Sequence, residues 1–428
     1  MRIARLFAFL LLTASCSLPA QARTEVRLWT LLGGGDGARM RTMIRDFNAS
    51  QQEVKVVETV LKWGEPFYTK LITASVVGAG PDVATIHLSR ITNLAGGGVL
   101  RPIGAEELER AGLRASDFYP RQWHGAQYRG RTYAVPLDLH MLVLYYNKTL
   151  ARRAGLLDAN DRLRPIEGIS ALTHAFRAVK EHTGEQGMTM ESGPNSFAVW
   201  RLWLSMLAQQ KTPLLGETGL AYGKAGEDSL AVISDWYARG YASRGLDYPA
   251  STSQFMSGKA GFMINGVWEV PELAAARKNG TLGFEVGIAP FPRMYGDSSV
   301  WGDSHGFAIP ANGNRPPPPE KVNAIMRFIA YVGMHSLIWA EGGHVPAYRP
   351  VAESAAARSL MPNAMYAGSV EHVIDEPAAW YAGAAGPLQS IASKYLPAAL
   401  AGQLTTAQAL DMFESEAARL LKKRAPQY

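Results

Sequence analysis

Two pairs of ionisable side chains share one spacing in this chain: Asp138 with His140, and Asp303 with His305. Each pair lies on a short segment that passes between two larger parts of the chain, where an ionisable side chain is expected to have a specific role. Carboxylates and imidazoles can hydrogen-bond paired hydroxyl groups, and two carboxylates can act as acid and base on a glycosidic bond. Asp138 could equally accept a hydrogen bond from a neighbouring backbone amide. We expect all four side chains to contact a ligand.

Tryptophans supply the second candidate chemistry. The chain has 10, and Trp63, Trp268 and Trp301 stand beside Gly or Asn in turn-like sequences rather than within periodic segments. A flat indole matches the apolar face of a pyranose ring, and neighbouring polar side chains can take its hydroxyls. Trp200 shares a predicted helix with Trp203, so helix packing explains that pair nearly as well. These positions predict a site for a neutral polyol.

The segment 61–89, LKWGEPFYTKLITASVVGAGPDVATIHLS, predicts how such side chains are positioned. Helical spacing over 67–77, a proline at the helix start and a Gly-Pro stop indicate a helix, and a strand follows over 83–86. Packing explains neither flank of this unit. We therefore expect a ligand to meet the flanking residues Trp63, Glu65, His87, Ser89 and Arg90.

Other motifs narrow the chemistry. HExxH, GxSxG and CxxC are absent, and the 9 histidines lack metal-ligand spacing, so we expect neither a metal nor a cofactor.

The glycine run 33–37 lacks the spacing and the lysine of a phosphate loop. It is either a turn in which Asp36 caps the next helix, or a loop that brings backbone close to a ligand. Asp36, Glu65, Asp138 and Asp303 could serve a glycosidase, although acids are equally expected where a sugar is only bound.

The remaining pattern indicates more than one domain. At 428 residues, with 47% hydrophobic and 19% charged residues, the chain is globular and too long for one ordinary core, so we expect two or three domains. Strands alternate with helices through the first hundred residues, which predicts a mostly parallel α/β sheet with ligands at the carboxyl ends of its strands. The pattern from 147 to about 240 is helical.

The first 22 residues predict the compartment. Arg2 and Arg5 precede an apolar run, and a small-residue cleavage site ends at Ala22, which is typical of a secretory signal peptide. Cys16 could instead be a lipidation site, but Thr13 stands where lipoprotein signals carry an aliphatic residue. No later segment approaches the ~18 apolar residues of a membrane span. We expect a soluble periplasmic protein whose scattered basic residues do not bind nucleic acid.

Several segments, in their order and spacing, resemble the extracellular solute-binding proteins that supply sugars to ATP-driven importers, the family of maltose-binding protein. They are the leader, WGEPFYTKL, GAGPDVATIHLSR, YAVPLDLHMLVLYYNK, GKAGFMINGVWE, GGHVPAYRPV and TTAQAL. The resemblance covers nearly the whole mature chain. It implies an α/β fold of two lobes, the type II periplasmic binding protein fold, joined by hinge crossings. Lobe 1 would contain 23–139 and 306–345, and lobe 2 would contain 140–305 and 346–428.

The resemblance also implies which side chains meet the sugar. They are Asp36, Trp63, Glu65, His87, Ser89 and Arg90 on lobe 1, Asp138 and His140 at the hinge, Asn195, Trp200, Asn265 and Trp268 on lobe 2, and Trp301, Asp303, His305 and Tyr348 at the later crossings. The implied protein is a monomeric, non-enzymatic binder that closes around a saccharide and delivers it to an inner-membrane ABC permease.

Two alternatives stay open. A secreted glycoside hydrolase or lyase could use the same acids. The other alternative is a binding protein for a charged solute. Arg90 and Arg349 could then bind the phosphate group of a glycerol phosphate. A polyamine would instead need a dominant cluster of acidic residues.

Overall fold

The structure is a computed structural model that describes residues 23–313 and 315–428. The predicted signal peptide and Cys16 lie outside the described residues. The strands are β1 (Thr24–Thr30), β2 (Val54–Val60), β3 (Val83–His87), β4 (Gln127–Tyr128), β5 (Arg131–Thr132), β6 (Ala134–Pro136), β7 (Asp138–Asn147), β8 (Gln186–Thr189), β9 (Leu215–Gly216), β10 (Gly219–Leu220), β11 (Ala260–Gly266), β12 (Val286–Ala289), β13 (Val300–Asp303), β14 (His305–Ala308), β15 (Val345–Pro346) and β16 (Val373–Ile374).

The helices lie mostly between these strands. They are α1 (Gly34–Ser50), α2 (Glu65–Val76), α3 (Ile91–Gly96), α4 (Ala105–Arg110), α5 (Pro120–Gly125), α6 (Lys148–Arg153), α7 (Ile169–Thr183), α8 (Ala198–Gln209), α9 (Gly223–Ala238), α10 (Tyr248–Met256), α11 (Val270–Lys278), α12 (Pro319–Met334), α13 (Leu337–Ala340), α14 (Arg349–Ala352), α15 (Ala355–Ser359), α16 (Pro387–Leu400) and α17 (Thr406–Leu421). Short 3-10 helices lie at Leu88–Arg90, Ala115–Asp117, Val267–Glu269, Asn363–Met365 and Ala367–His372.

The first sheet has five strands in the order β2-β1-β3-β14-β6. β1 pairs in parallel with β2 and β3, while β14 runs antiparallel to β3 and β6. β3 is buried along its whole length, as its short apolar sequence predicts for a central strand. Helix α1 buries Met40, Met43, Ile44 and Phe47, which recur at helical spacing and cover one side of this sheet.

Strand β7 organises the second sheet, whose order is β16-β13-β7-β11-β8. All 10 residues of β7 are buried. Along its length β7 pairs antiparallel with β15, β13, β11 and β12 in turn. Because β7 starts at Asp138, the chain enters this sheet immediately after it leaves the first one.

Two separate hydrophobic cores accompany the two sheets. The first is built from buried side chains between Val26 and Leu137 and between Phe307 and Ala347, together with Ala385. The second is built from side chains between residues 139 and 301 and again between residues 366 and 420. We call the parts of the chain around these cores lobe 1 and lobe 2.

Three neighbouring segments connect the lobes, and we call them the crossing ribbon: residues 136–138, 303–305 and 345–347. The Leu137 amide donates to the His305 carbonyl at 2.8 Å, and the Ala347 amide donates to the Leu137 carbonyl at 3.0 Å. β15 also pairs with the first two residues of β7. Backbone hydrogen bonds therefore hold the three segments side by side.

The predicted helix over 67–77 and the predicted strand over 83–86 are confirmed as α2 and β3, within a few residues at their ends. The first hundred residues alternate between strands and helices, as predicted. The segment from 147 to about 240, predicted to be helical, also contains the short strands β8, β9 and β10. Across the described residues, no helix combines the length and the apolarity that a bilayer span requires.

Candidate ligand-binding cleft

A cavity of about 840 Å³ lies between the lobes. Its lobe 1 wall follows the carboxyl ends of three parallel strands, since Leu31 follows β1, Leu61 follows β2 and His87 ends β3. This is where a parallel sheet is expected to present a ligand site. The predicted site residues that line the cavity are Asp36, Trp63, His87, His140, Asn195, Trp268, Trp301 and His305.

The glycine run forms part of this wall. Helix α1 begins at Gly34, so Asp36 lies in its first turn and makes no capping hydrogen bond. Its Oδ1 atom lies 3.0 Å from His344 Nε2 instead. A Cβ atom on Gly35 would lie 2.3 Å from the Cβ of Pro271 in lobe 2. The missing side chain therefore allows the two lobes to meet here, and the backbone of the run faces the cavity.

On the lobe 2 wall, Tyr248 holds neighbouring side chains in place. Trp268 Nε1 donates to the Tyr248 hydroxyl at 3.1 Å, and that hydroxyl donates to Glu269. Asn265 Nδ2 donates to Glu269 Oε2 at 3.3 Å. Burial raises the pKa of Glu269 to about 7, so this carboxyl is partly protonated at neutral pH. The indole of Trp268 is fixed by this network while it lines the cavity.

The guanidinium of Arg201 lies among three indoles. Its Cζ atom is 4.6 Å from the ring centre of Trp301, 5.3 Å from that of Trp268 and 5.6 Å from that of Trp63. Trp63 belongs to lobe 1, and it also meets Phe197 of lobe 2 edge to face at 5.6 Å. Each cation–π contact contributes about 0.5 to 2 kcal/mol. These contacts bridge the lobes across the cleft.

Asp138 is completely buried behind the cavity and contacts four side chains. Its Oδ1 atom accepts from the His305 backbone amide at 2.8 Å and lies 3.2 Å from His140 Nδ1. Its Oδ2 atom accepts from Trp339 Nε1 at 2.7 Å and lies 2.8 Å from His305 Nδ1. His344 Nδ1 lies 3.1 Å from the same oxygen, at ion-pair distance but without hydrogen-bond alignment. Asp138 thus satisfies a backbone amide, one of the two roles that its sequence position left open.

Charge is unevenly distributed in the cluster formed by Asp138 and the buried histidines around it. Burial lowers the pKa of His140 to about 3 and lowers the pKa of His87 well below its ordinary value. Burial also opposes charge on His344, yet Asp36 and Asp138 raise its pKa to about 10. Against the effect of burial, the neighbouring histidines hold the pKa of Asp138 well below its usual range. At neutral pH the cluster holds a carboxylate at Asp138 and an imidazolium at His344, while His140 and His87 are neutral.

The same cluster contains the residue types that bind transition metals. Ligand atoms of Asp138, His140, His305 and His344 lie within 4.8 Å of one another, and those of His87, His140 and Asp303 form a second such group. Sequence spacing does not indicate these groups because, apart from Asp138 and His140 of β7, their members come from separate segments of the chain. In the first group His140 and His305 bond Asp138, and in the second His87 bonds Tyr68 while Asp303 bonds Ser89. His344 would have to lose its proton before it could bind a metal. Hydrogen bonding therefore accounts for the arrangement.

Four predicted site residues lie behind the cavity wall: Ser89, Asp138, Asn265 and Asp303. Ser89 Oγ donates to Asp303 Oδ2 at 2.5 Å and accepts from the Ala384 amide at 3.0 Å. Burial raises the pKa of Asp303 to about 7. Because their polar atoms bond other protein groups, these four residues support the side chains that line the cavity.

Four others lie away from the cavity: Glu65, Arg90, Trp200 and Tyr348. Glu65 is exposed in the first turn of α2, where a negative charge favours the helix dipole. Arg90 is buried and donates to the carbonyls of residues 384 and 385. Trp200 faces the core of lobe 2, where its indole donates to the buried carboxyl of Glu376 at 3.2 Å. Tyr348 packs against the core of lobe 1. Helix rotation and loop placement decide these positions, and neither is visible in a single sequence.

Five further residues line the cavity without having been predicted from the sequence: Glu191, Phe197, Arg201, Tyr248 and Glu269. Of these five residues, Arg201 could have been identified from its sequence context. Arg201 is the only charged residue in α8, AVWRLWLSMLAQ, and an isolated arginine in an apolar helix needs a partner. The sequence around the other four gives no comparable indication, because distant segments bring them to the cleft.

Comparison with known proteins agrees with this architecture. The sequence profile of the family described as bacterial extracellular solute-binding protein matches residues 34–333. No curated protein matches the chain. The GacH receptor of Streptomyces glaucescens is 21% identical, with a TM-score of 0.79 over 94% of this chain and 99% of that one. T. maritima MalE3 is 18% identical, with a TM-score of 0.79 over 93% and 100% of the two chains.

A solute-binding protein of Agrobacterium vitis is 19% identical, with a TM-score of 0.72 over 93% of this chain and 98% of that one. At these identities the likeness shows the fold, and it confirms the predicted α/β architecture of two lobes. The family match extends over most of the chain and includes both walls of the cleft. This chain belongs to the bacterial extracellular solute-binding proteins.

Proposed function

We propose that this protein is the periplasmic substrate-binding component of an ABC importer, and that it binds a saccharide in the cleft and delivers it to a membrane permease. The observation that carries the proposal is the cavity itself, which combines the indoles of Trp63, Trp268 and Trp301 with polar side chains from both lobes. The solved relatives support it, since their structures contain acarbose, maltose and D-mannitol.

The two kinds of side chain have different tasks in this proposal. Indoles cover the apolar faces of sugar rings, and imidazole, amide and carboxyl groups bond the hydroxyls. His87 illustrates the second task. Its backbone amide donates to the Tyr68 hydroxyl, and its Nδ1 atom lies 2.8 Å from the same oxygen. Tyr68 therefore donates to Nδ1, which leaves a hydrogen on Nε2 of the neutral ring for a sugar oxygen. A hydroxyl with the wrong configuration leaves such groups unpaired at about 1 to 3 kcal/mol each.

Binding in this proposal is coupled to hinge closure about the crossing ribbon, the motion known for periplasmic binding proteins. We assign 23–139 and 306–345 to lobe 1 and 140–305 and 346–428 to lobe 2. Ala347 packs with the core of lobe 1, which supports a last boundary slightly later than 345. We further propose that the protein acts as a monomer, after signal peptide cleavage behind Ala22, and without catalysis.

A thermal-shift screen over mono- and oligosaccharides tests the proposal. Glycerol phosphates and polyamines belong in the same screen, because they represent the charged-solute alternative. A saccharide that raises the melting temperature in a saturable way supports the proposal. Stabilisation by glycerol phosphate or polyamine alone would contradict it, as would release of reducing sugar from oligosaccharides by the purified protein.

Trp268→Ala tests the site assignment in the same assay. We expect the variant to lose saccharide-induced stabilisation while its unliganded melting temperature stays within a few degrees of the wild type. Trp380→Ala is the matched control, since it removes an indole that is half-buried outside the cavity. A normal ligand response in Trp268→Ala would remove this residue from the site.

A further inference from the structure

Arg201 is the least satisfied charged group at the cleft. It lies in the first turn of α8, and only 8% of the residue is exposed. Among residues 23–313 and 315–428, no carboxylate oxygen lies within 4.0 Å of its guanidinium nitrogens. The described residues also offer the side chain no hydrogen-bond acceptor, and Nε is enclosed without a partner. The side chain lines the cavity, so its unused donors have access only to what the cavity contains.

Arg90 shows how the same fold treats a buried arginine that has a structural task. It is 4% exposed, and its two Nη atoms donate to two backbone carbonyls and to Asn93 Oδ1 at distances from 2.9 to 3.1 Å, although its Nε, like that of Arg201, is enclosed without a partner. Arg201 has a similar degree of burial, and its guanidinium contacts the faces of three indoles. The carboxyl groups of Glu191, Glu376 and Asp303 lie near enough to favour its charge, but none is within ion-pair or hydrogen-bond distance among the described residues. Indole faces attract a cation but accept no hydrogen bond in the plane of the guanidinium. The in-plane N–H groups on the two Nη atoms of Arg201 are therefore available to a ligand, whereas the enclosed Nε is not.

A carboxylate is the group that best matches these donors. The planar guanidinium presents paired N–H groups in a fixed fork, and a carboxylate accepts two of them in parallel. A phosphate dianion fits less well, because Glu191, Glu269 and Glu272 line the same cavity and would repel a second negative charge. Burial raises the pKa of Glu191 and of Glu269, which reduces this repulsion for a single carboxylate.

We propose that Arg201 binds the carboxylate of an acidic saccharide, so that the ligands of this cleft are uronic acids or oligosaccharides that contain them. This inference rests on the proposed function and specifies its substrate class. The three indoles hold the guanidinium in place and cover the sugar rings, while the fork of Arg201 pairs with the carboxylate in a cavity from which water is largely displaced.

Isothermal titration of the purified protein with uronates and with their carboxyl-reduced forms tests this inference directly. Glucuronate, galacturonate and short oligouronides are compared with the same compounds after reduction of each carboxyl group to a primary alcohol, which keeps every ring and linkage. We expect at least one acidic compound to bind roughly 100-fold more tightly than its reduced form, the effect of truncating one side of a buried charge pair. Equal or tighter binding of the reduced forms would overturn the inference and leave the proposed function standing.

Variants at position 201 test whether Arg201 is responsible for the preference for the acidic compound. Arg201→Met removes the charge at similar length, and we expect it to lose the preference for the acid but to keep binding of the neutral form. Arg201→Lys keeps the charge without the fork, and we expect roughly tenfold weaker binding of the acid; it also serves as the test if Arg201→Met does not fold. Arg177→Met is the control for net charge, since this arginine lies half-exposed on α7.

Two further outcomes would contradict the inference. An acid preference that survives in Arg201→Met would assign the carboxylate to another residue. Binding of sugar phosphates or glycerol phosphate that depends on Arg201, in the absence of uronate binding, would assign the site to a phosphate. If neither acidic nor neutral saccharides bind, both the inference and the proposed function fail.

Discussion

Replacing Asp138 with asparagine tests how much this buried carboxylate contributes to the free energy of unfolding. The substitution preserves size and removes one negative charge. In the wild type this carboxylate accepts hydrogen bonds from the His305 amide and from Trp339, and it contacts His140, His305 and His344. In the variant an amide nitrogen must face at least one of these donors, and Asp36 is the one acidic partner left to the imidazolium of His344 among the residues that the structure describes.

The expected cost follows from the burial of the pair. Asp138 and the side chain of His344 are both fully buried, so solvent cannot replace the missing charge. Removing one partner of a buried ion pair typically destabilises a protein by about 3 to 5 kcal/mol. For a chain of this length that corresponds to a melting temperature lower by roughly 3 to 6 °C.

Chemical denaturation at pH 7, followed by circular dichroism and by tryptophan fluorescence, measures this cost. Agreement between the two probes is needed, because two lobes could unfold in separate steps. Asp375→Asn is the matched control. Asp375 pairs with Arg121 at 2.9 Å, but its side chain is 62% exposed, so we expect a change within about 0.5 kcal/mol. If Asp138→Asn lies within about 1 kcal/mol of the wild type, the cluster does not carry the stability assigned to it.

Two other predictions concern charge and site membership. Although burial opposes it, Asp36 and Asp138 raise the pKa of His344 to about 10 from an unfolded value of ~6.5. The stabilisation that the charged His344 provides is therefore complete below pH 6.5 and is lost as the pH rises through 10, by up to about 4 to 5 kcal/mol. In melting curves recorded as a function of pH, His344→Gln should show a smaller loss of stability at alkaline pH than the wild type. Parallel curves for the two proteins would contradict the assignment. Glu65→Gln should change saccharide affinity by less than about twofold in titration calorimetry, because Glu65 lies outside the cavity, and a tenfold loss would return it to the site.

The sequence could predict the fold because local patterns decide most of it. The helical spacing of Met40, Met43, Ile44 and Phe47 is visible in the chain and matches the buried face of α1, and the short apolar strand β3 lies where it was predicted. The segment 61–89 likewise formed a helix and a strand, and its flanks Trp63 and His87 reached the cleft. Residues at the carboxyl ends of parallel strands are predictable, because the topology alone brings them together.

Positions that depend on helix rotation or on long-range pairing were not predictable in this way. Trp200 and Arg201 are adjacent in α8, but one helical step of about 100° turns the tryptophan to the core and the arginine to the cavity. Asp138 and His344 are in contact although they lie 206 positions apart in the chain, and no local pattern indicates such a contact. Asp303 and His305 repeat the spacing of Asp138 and His140, yet only the histidines of the two pairs line the cavity.

The crossing ribbon has a mechanical consequence. Three independent linkers would let two lobes twist, slide and rock against each other. Here the segments are bonded edge to edge, with Leu137 in the middle and Asp138 bonded to His305 of the neighbouring strand. In the hinge closure proposed above, a bend in one segment must be accompanied by the same bend in the other two. We therefore expect the ribbon to resist sideways shear and to favour rotation about a single axis, so that the two walls of the cleft return to the same alignment in each closure.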